Sequence, residues 1–222
     1  MAIDKASKAK ERSQLEAQET VKTKSTFREY AEAIGMALLL ALFIRTFIVQ
    51  AFKIPSGSMI PTLQIGDHIL VNKLAYGIRV PVWGHYLMHL GTVQRGDVIV
   101  FIFPEDRSKD FIKRVIGVAG DTVEIRGKKV YINGRQIDDP HAHFEGDDPQ
   151  NILPASRDDY GPTKVPANHI FVMGDNRDRS YDSRFWGFVN LDDVRGKAFL
   201  IYWSWDGSDR WVRWERFANL IR

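Results

Sequence analysis

The apolar segment Tyr30–Val49 constrains the architecture of this chain more than any other part of its sequence. Its central run, Ile34–Ile44, contains no charged side chain, and Arg45 follows directly. As an α-helix, the twenty residues of this segment would be about 30 Å long, which matches the hydrocarbon thickness of a bilayer. A cleaved signal peptide would end in small residues, whereas bulky residues such as Phe47 follow here. The segment therefore predicts an uncleaved transmembrane anchor over residues 29–50.

Positive charges are concentrated before this segment. Seven Lys or Arg residues lie within residues 1–28, and Lys53 is the nearest one after Arg45. Because positively charged flanks stay in the cytoplasm, we expect residues 1–28 to form a cytoplasmic polar tail. Residues 51–222 are then expected to form a domain on the outer side of the membrane, so the chain would cross the membrane once.

Composition excludes several classes of protein. The chain has no cysteine, so disulfides, cysteine-based metal sites and a thiol nucleophile are ruled out. A formal net charge of +3 in 222 residues argues against nucleic acid as a partner. The pair His141-x-His143 has no third ligand at a recognisable spacing. We therefore predict neither a metal site nor a cofactor.

After the anchor, the sequence changes to short runs that are either alternately or continuously apolar. Such runs predict β-strands, and here they lie at residues 68–74, 97–103, 111–118, 122–125, 129–132, 169–173 and 197–203. Asn133-Gly134 is a strong signal for a two-residue hairpin turn. Helical periodicity returns only at Trp214–Arg222. We predict an all-β domain of many short antiparallel strands, with a long excursion at residues 138–166, which are rich in Asp, Pro, His and Gly.

The segment Pro55–Thr62 follows the anchor closely and combines two serines, one glycine and two prolines in eight residues. Proline fixes φ and glycine widens the choice of backbone angles, so the loop has a defined shape. A shaped loop that presents a serine suits a nucleophile, although serine needs a base beside it. An ordinary turn at the end of an anchor has the same composition, and both interpretations stand on this segment alone.

Two further motifs change the balance. Residues 56–62 read Ser-Gly-Ser-Met-Ile-Pro-Thr, residues 112–121 read Ile-Lys-Arg-Val-Ile-Gly-Val-Ala-Gly-Asp, and residues 174–184 read Gly-Asp-Asn-Arg-Asp-Arg-Ser-Tyr-Asp-Ser-Arg. In this order and behind an anchor, the three motifs resemble those of bacterial type I signal peptidases (leader peptidases), a family of Ser-Lys proteases. The resemblance covers about residues 30–203. It implies an all-β catalytic domain and a location in the bacterial inner membrane.

The resemblance assigns a role to each matching residue of the first two motifs. Ser58 matches the nucleophile and Lys113 the general base. Lysine has an ordinary pKa of about 10.4 and is protonated, so it must be buried to become neutral and accept a proton. The apolar residues around Lys113 suit such burial, although most strand lysines point to solvent. Ser56 matches the serine whose hydroxyl forms the oxyanion hole together with the backbone N–H of Ser58.

The third motif supplies residues that support the base. Ser180 matches a hydroxyl that hydrogen-bonds to the lysine and orients it, and Asp182 and Arg184 match an ion pair that holds the Ser180 loop. Without the resemblance, Asp182 and Arg184 would be interpreted as an exposed pair worth at most about 1 kcal/mol. Arg114 is expected to support the strand that carries the base and to take no part in the reaction.

The resemblance also implies the substrate. Members of the family remove signal peptides from secretory preproteins after small residues at positions −1 and −3. An extended peptide would add main-chain hydrogen bonds to a strand edge, and the candidate edges are residues 50–55 and 109–113. The residues that we expect to line the substrate pockets are Phe52, Ile54, Met59 and Ile112.

The phospholipid bilayer is a second predicted partner. Four tryptophans, at positions 203, 205, 211 and 214, crowd the C-terminal part of the chain. Trp203 lies inside a predicted strand and is expected to be a core residue. Because tryptophan favours the bilayer interface, we expect one or more of Trp205, Trp211 and Trp214 to contact the outer leaflet together with Phe52.

Two other functions fit parts of the sequence. A self-cleaving repressor protease is also an all-β Ser-Lys protein, but the anchor, the segment Gly174–Trp186 and the lack of a DNA-binding helix-turn-helix argue against it. A membrane-tethered β-domain that only binds partners would be favoured by a change at Ser58, Lys113 or Ser180, and none of them is changed. We therefore predict a membrane-bound serine endopeptidase.

Overall fold

A computed structural model describes residues 26–79, 86–146 and 158–222. Most of the predicted polar tail, and the middle of the predicted excursion at residues 138–166, lie outside these ranges. The chain divides into two compact units, one that ends at Phe43 and one that comprises Ile44–Arg222.

Helix α1, Thr26–Phe47, corresponds to the predicted anchor. Its 22 residues are long and apolar enough to cross a membrane, none of its side chains is buried, and it is the one such helix in the described ranges. The helix ends before Val49, because that residue already pairs with Asn72 of the following strand. The prediction that the helix includes Val49 was therefore wrong.

The second unit contains fifteen β-strands within its described residues. They are β1 Val49–Lys53, β2 Asp67–Asn72, β3 Gly77–Arg79, β4 Tyr86–His89, β5 Val98–Ile102, β6 Asp110–Gly117, β7 Thr122–Arg126, β8 Lys129–Ile132, β9 Arg135–Gln136, β10 Tyr160–Lys164, β11 His169–Met173, β12 Val189–Asn190, β13 Val194–Asp206, β14 Trp211–Val212 and β15 Asn219–Leu220. A one-turn helix α2, Ser183–Trp186, and 3₁₀ turns at Arg177–Arg179, Leu191–Asp193 and Trp214–Arg216 complete the unit. The strand pairs are antiparallel, which confirms the predicted fold class.

The main sheet has the strand order β1-β2-β13-β5-β6-β11-β12, and β14 and β15 also pair with β13. Strand β2 alternates as predicted, with Asp67, Ile69 and Val71 buried and the residues between them partly exposed. Strand β6 is buried at every position from Lys113 to Gly117. Both faces of β6 are therefore covered over these residues.

The smaller sheet has the strand order β10-β7-β8-β9. Its hairpin between β8 and β9 turns at Asn133 and Gly134, whose φ angles are 54° and 80°. Positive φ at both central residues is the requirement of the two-residue turn, so this prediction is confirmed. A buried cluster that includes Ile116, Val123 and Phe171 joins the smaller sheet to β6 and β11.

The C-terminal segment is not the helix that its periodicity predicts. Trp214–Arg216 forms a single 3₁₀ turn, Ala218 has a positive φ of 60°, and β15 pairs with β13 through Leu220 and Leu200. Pairing with the long central strand competes successfully with a short local helix, because isolated helices of this length are marginal.

Both predicted substrate edges are open among the described strands. Strand β1 ends the main sheet and pairs only with β2. Residues 110–113 of β6 pair with β5, whereas the pairing of β6 with β11 begins at Arg114. The predicted edges at residues 50–55 and 109–113 therefore have backbone groups that another strand could pair with.

Candidate active site

Ser58 and Lys113 meet inside the second unit. Ser58 lies in the loop between β1 and β2, and Lys113 lies on β6. The distance from Lys113 Nζ to Ser58 Oγ is 2.7 Å. Lys113 is 4% exposed and Ser58 is 9% exposed. The amine and the hydroxyl are thus in direct hydrogen-bond contact in a site that largely excludes water.

Burial changes the protonation of Lys113. Loss of hydration on burial lowers the pKa of this amine from 10.5 to about 8. The negative charges of Asp182 and Asp175 act in the opposite direction, and the positive charge of Arg184 lowers the pKa further. A lysine with such a pKa has a substantial neutral fraction near pH 8, and a neutral amine can accept a proton from a hydroxyl.

The ion pair of Asp182 and Arg184 is buried. Arg184 donates from Nε and Nη2 to the two carboxylate oxygens of Asp182, both at 2.9 Å. Burial by itself raises the pKa of Asp182, but the charge and hydrogen bonds of Arg184, together with those of Ser180 and Gly174, hold the pKa below its ordinary value. Asp182 and Arg184 therefore do not form an exposed surface pair.

Ser180 lies in the same buried cluster, but its hydroxyl has other partners than the lysine. Its Oγ accepts from the Gly174 N–H at 3.1 Å, and the hydroxyl donates to Asp182. Among the described residues, no hydrogen bond joins Ser180 to Lys113. The expectation of a direct bond between them is corrected: in this conformation, Ser180 is connected to Lys113 through the charge of Asp182.

A second buried ion pair, which is formed by Arg114 and Asp175, was not predicted from the sequence. Arg114, which follows Lys113 on β6, donates from Nε and Nη2 to Asp175, both at 2.7 Å. The Thr62 hydroxyl donates to the same carboxylate at 2.5 Å. This pair connects the strand of the lysine, the loop of the serine and the segment that begins at Gly174. The only sequence signal for it is an Arg and an Asp placed inside two of the three motifs.

Gly174 and Asn176 hold the main chain of the serine. A Cβ at Gly174 would lie 2.4 Å from the Ser58 carbonyl oxygen and 2.3 Å from Ser180 Oγ. The Asn176 N–H donates to the same Ser58 carbonyl at 3.1 Å. Only glycine permits this close approach, which fixes the peptide that follows Ser58.

The remaining predicted residues lie on β1, on β6 and in the loop that carries Ser58. Ser56 is exposed, two residues before Ser58. Phe52 and Ile112 are partly buried and pack on one apolar cluster that contains Ile54 and Met59. Ile54 is 2% exposed and Met59 is 0% exposed. Ile54 and Met59 are therefore inner members of this cluster, whereas Phe52 and Ile112 have exposed surface. The expectation that these four residues line the substrate pockets stays a prediction.

His141 and His143 are partly buried in the first part of the excursion. In the ranges that the structure describes, no three His, Cys, Asp or Glu side chains are grouped in a way that could hold a metal ion.

Comparison with known proteins first establishes the class, which is a peptidase. A family model described as signal peptidase, peptidase S26, matches residues 27–203, well over half of the chain. The chain belongs to this signal peptidase family, and the resemblance carried by the three sequence motifs is confirmed.

Curated relatives narrow the class to one kind of enzyme. A signal peptidase I from Pseudomonas fluorescens is 40% identical over an aligned length of 206 residues, and the match covers 80% of this chain and 72% of that protein. Signal peptidase I S from Bacillus subtilis is 38% identical over 190 residues, which cover 85% of this chain and 95% of that protein. The crystal structure of a signal peptidase I from Enterococcus faecalis is 32% identical and aligns with a TM-score of 0.39 over 48% of this chain and 96% of that one.

Proposed function

We propose that this chain is a membrane-bound serine endopeptidase that removes signal peptides from exported preproteins. The observation that carries the proposal is the 2.7 Å contact between Ser58 Oγ and Lys113 Nζ, made by a lysine whose pKa is lowered by burial. A solvent-facing strand lysine would have neither property. Membership of the signal peptidase family supplies the reaction class.

In the proposed reaction, Ser58 Oγ attacks the carbonyl carbon of the scissile bond while its proton moves to Lys113 Nζ. The backbone N–H of Ser58 and the hydroxyl of Ser56 donate to the oxyanion that develops. Lys113 then gives its proton to the departing amine, which leaves an acyl group on Ser58. Water attacks this ester with Lys113 again as the base, and the signal peptide is released with a free carboxylate.

The two open strand edges provide a place for the substrate. A signal peptide in extended form can pair with the free side of residues 110–113 or with β1, because main-chain groups there have no strand partner. Phe52 and Ile112 are partly exposed and pack against the apolar cluster that contains Ile54. We propose that these side chains form shallow pockets that admit only small residues at positions −1 and −3.

The exposed aromatic surface suits attachment at the membrane. Trp205, Trp211 and Trp214 are 41%, 66% and 60% exposed, and Phe217 is 53% exposed. Trp203 is partly buried, with its ring edge-on to that of Trp214 at 6.0 Å. We propose that the exposed rings contact the outer leaflet. Their amphipathic rings favour the headgroup region.

We also propose the orientation that the charge distribution predicts. Residues 1–28 would be cytoplasmic, α1 would cross the bacterial inner membrane, and residues 51–222 would lie on its outer side. This places the peptidase on the side where exported preproteins emerge.

The test is cleavage of a purified preprotein by the full chain in detergent, with the product analysed by mass spectrometry. Wild type should cut after an Ala-x-Ala sequence, with kcat/KM rising with pH up to about 8. Ser58→Ala should be inactive, and so should Lys113→Arg, because a guanidinium cannot lose its proton at these pH values. Lys129→Arg, at an exposed strand lysine on β8, is the matched control and should remain active. Near-normal turnover by a folded Lys113→Arg protein would contradict the assignment.

A further inference from the structure

The first part of the 138–166 excursion, residues 139–146, packs against residues 174–179. We call residues 139–146 the strap and residues 174–179 the supporting loop. The main chain of His143 forms two hydrogen bonds with the supporting loop. Its N–H donates to the Asp175 carbonyl at 2.7 Å, and its carbonyl accepts from the Arg177 N–H at 2.9 Å. The strap is therefore docked on the same loop that contacts Ser58.

One side chain of the strap, Glu145, bonds to two residues of the supporting loop at once. One of its oxygens, Oε1, accepts from Asn176 Nδ2 at 2.6 Å, and the other pairs with Arg179 Nε at 2.5 Å. The side chain of Glu145 is 25% exposed, so this contact is partly shielded from water. Glu145 thus connects the middle of the loop to the residue that precedes Ser180.

The amide of Asn176 depends on this carboxylate. Asn176 is 0% exposed, and its Oδ1 is buried without a hydrogen-bond partner among the described residues. Within those residues, the bond to Glu145 is the one that its side chain makes. A buried amide with one unsatisfied end is costly already, and loss of Glu145 would leave both ends unsatisfied, so the residue would have to shift.

A shift of Asn176 would directly move the main chain of Ser58. The Asn176 N–H donates to the Ser58 carbonyl at 3.1 Å, and the same carbonyl is packed against Gly174 with no room for another atom. The peptide that follows Ser58 therefore takes its orientation from the supporting loop. That orientation in turn aims Ser58 Oγ at Lys113 Nζ, 2.7 Å away.

We propose that Glu145 is a positioning residue for the cleavage reaction. It acts through Asn176 on the main chain of Ser58 and does not touch substrate. The inference rests on the proposed function, and it assigns to the strap a task that composition did not reveal. Because reactions of this kind depend on sub-ångström placement of the attacking atom, a loosened supporting loop should reduce the rate of the chemical step and leave substrate binding almost unchanged.

The test compares Glu145→Ala and Glu145→Gln with wild type in the preprotein assay. Glu145→Ala should lower kcat roughly 10- to 100-fold, with KM changed less than about twofold. Glu145→Gln should recover most of the activity, because its amide oxygen can still accept from Asn176 Nδ2 although the charge opposite Arg179 is lost. The matched control is Glu124→Ala, which removes a 16% exposed carboxylate paired with Arg126 on the smaller sheet. It should leave kcat unchanged.

Exchanging the donor and the acceptor of the hydrogen bond between Asn176 and Glu145 provides a second test. This test remains valid even if Glu145→Ala does not fold. Asn176→Asp alone brings two carboxylates together and should lower kcat at least as much as Glu145→Ala. Adding Glu145→Gln to Asn176→Asp restores a donor opposite an acceptor and should recover at least tenfold in kcat. In all variants the pH at which kcat/KM begins to fall should match wild type, because Lys113 is not altered.

The outcomes separate the inference from the function on which it rests. If wild type does not cleave the preprotein, the proposed function fails and this inference fails with it. If wild type cleaves but Glu145→Ala keeps kcat within twofold, or Glu145→Gln is as impaired as Glu145→Ala, only the inference is overturned. The same conclusion follows if the double variant is no better than Asn176→Asp alone, or if KM rises while kcat is kept.

Discussion

Replacement of Lys113 by methionine is expected to make the β-domain more stable at neutral pH while it abolishes cleavage. Burial lowers the pKa of Lys113 from 10.5 to about 8, and a difference of this size corresponds to roughly 3 kcal/mol of unfavourable free energy for the buried ammonium group. The hydrogen bond to Ser58 Oγ returns about 1 kcal/mol. Methionine has a similar length and no charge, so Lys113→Met should stabilise the folded chain by about 2 kcal/mol at pH 7.

The stabilisation should depend on pH in a defined direction. Below pH 8, Lys113 is largely protonated in the folded and in the unfolded chain, so the full cost of the buried charge is present. Between pH 8 and 10.5, the folded chain has lost the proton while the unfolded chain still holds it, so the wild type gains stability as pH rises. The advantage of Lys113→Met should therefore be largest below pH 8 and should be lost before pH 10.5, where the hydrogen bond to Ser58 Oγ remains and favours wild type.

Urea unfolding of the full chain in detergent, followed by tryptophan fluorescence at pH 7, 9 and 10, measures this difference. The control is Lys129→Met on β8, where the lysine is exposed and the change in unfolding free energy should stay within about 0.5 kcal/mol. The reasoning would be refuted if Lys113→Met were less stable than wild type at pH 7. A gain in stability that did not change between pH 7 and 10 would refute it as well.

Three further predictions concern the oxyanion donor, the glycine and the aromatic surface. Ser56→Ala should lower kcat roughly 10²- to 10³-fold with little change in KM, and Ser56→Thr should be milder because a hydroxyl remains; intact turnover in Ser56→Ala would remove this hydroxyl from the oxyanion hole. Gly174→Ala should lower both the unfolding temperature and kcat, because its Cβ would lie 2.4 Å from the Ser58 carbonyl oxygen, and normal values of both would contradict the close packing. For the chain lacking residues 1–50, vesicles of bromine-labelled phospholipid should quench tryptophan fluorescence, and Trp211→Ser with Trp214→Ser should reduce the quenching; absence of quenching in the unmodified protein would show that the exposed rings do not enter the bilayer.

Local patterns determined much of this protein from the sequence alone. The apolar run identified α1, period-two and continuous apolar runs identified most strands, and Asn133-Gly134 identified a hairpin turn. Each of these features depends on residues close together in the chain, so physical rules with short range are sufficient. The three motifs identified the family because each contains several residues in a fixed order.

The ends of elements were decided by tertiary pairing. The apolar pattern continues beyond Phe47, yet the helix stops there because Val49 pairs with Asn72. The periodicity of Trp214–Arg222 favours a helix, yet β15 pairs with β13. In both cases the strand partner, Asn72 for Val49 and Leu200 for Leu220, lies at least twenty residues away along the chain. It supplied hydrogen bonds and burial that the local pattern does not contain.

The surroundings of Ser58 and Lys113 were also decided by the tertiary structure. Lys113 and Arg114 are neighbours on β6 and point to opposite faces, yet they are 4% and 2% exposed. No period can predict two buried charges in succession, because their burial requires covering layers on both faces. One face brings Lys113 to Ser58, 55 residues away in sequence, and the other brings Arg114 to Asp175, 61 residues away. The sequence identified which residues could react. The register of the sheet determined which of these residues meet and which charged group loses its hydration, because contacts between distant segments decide both outcomes.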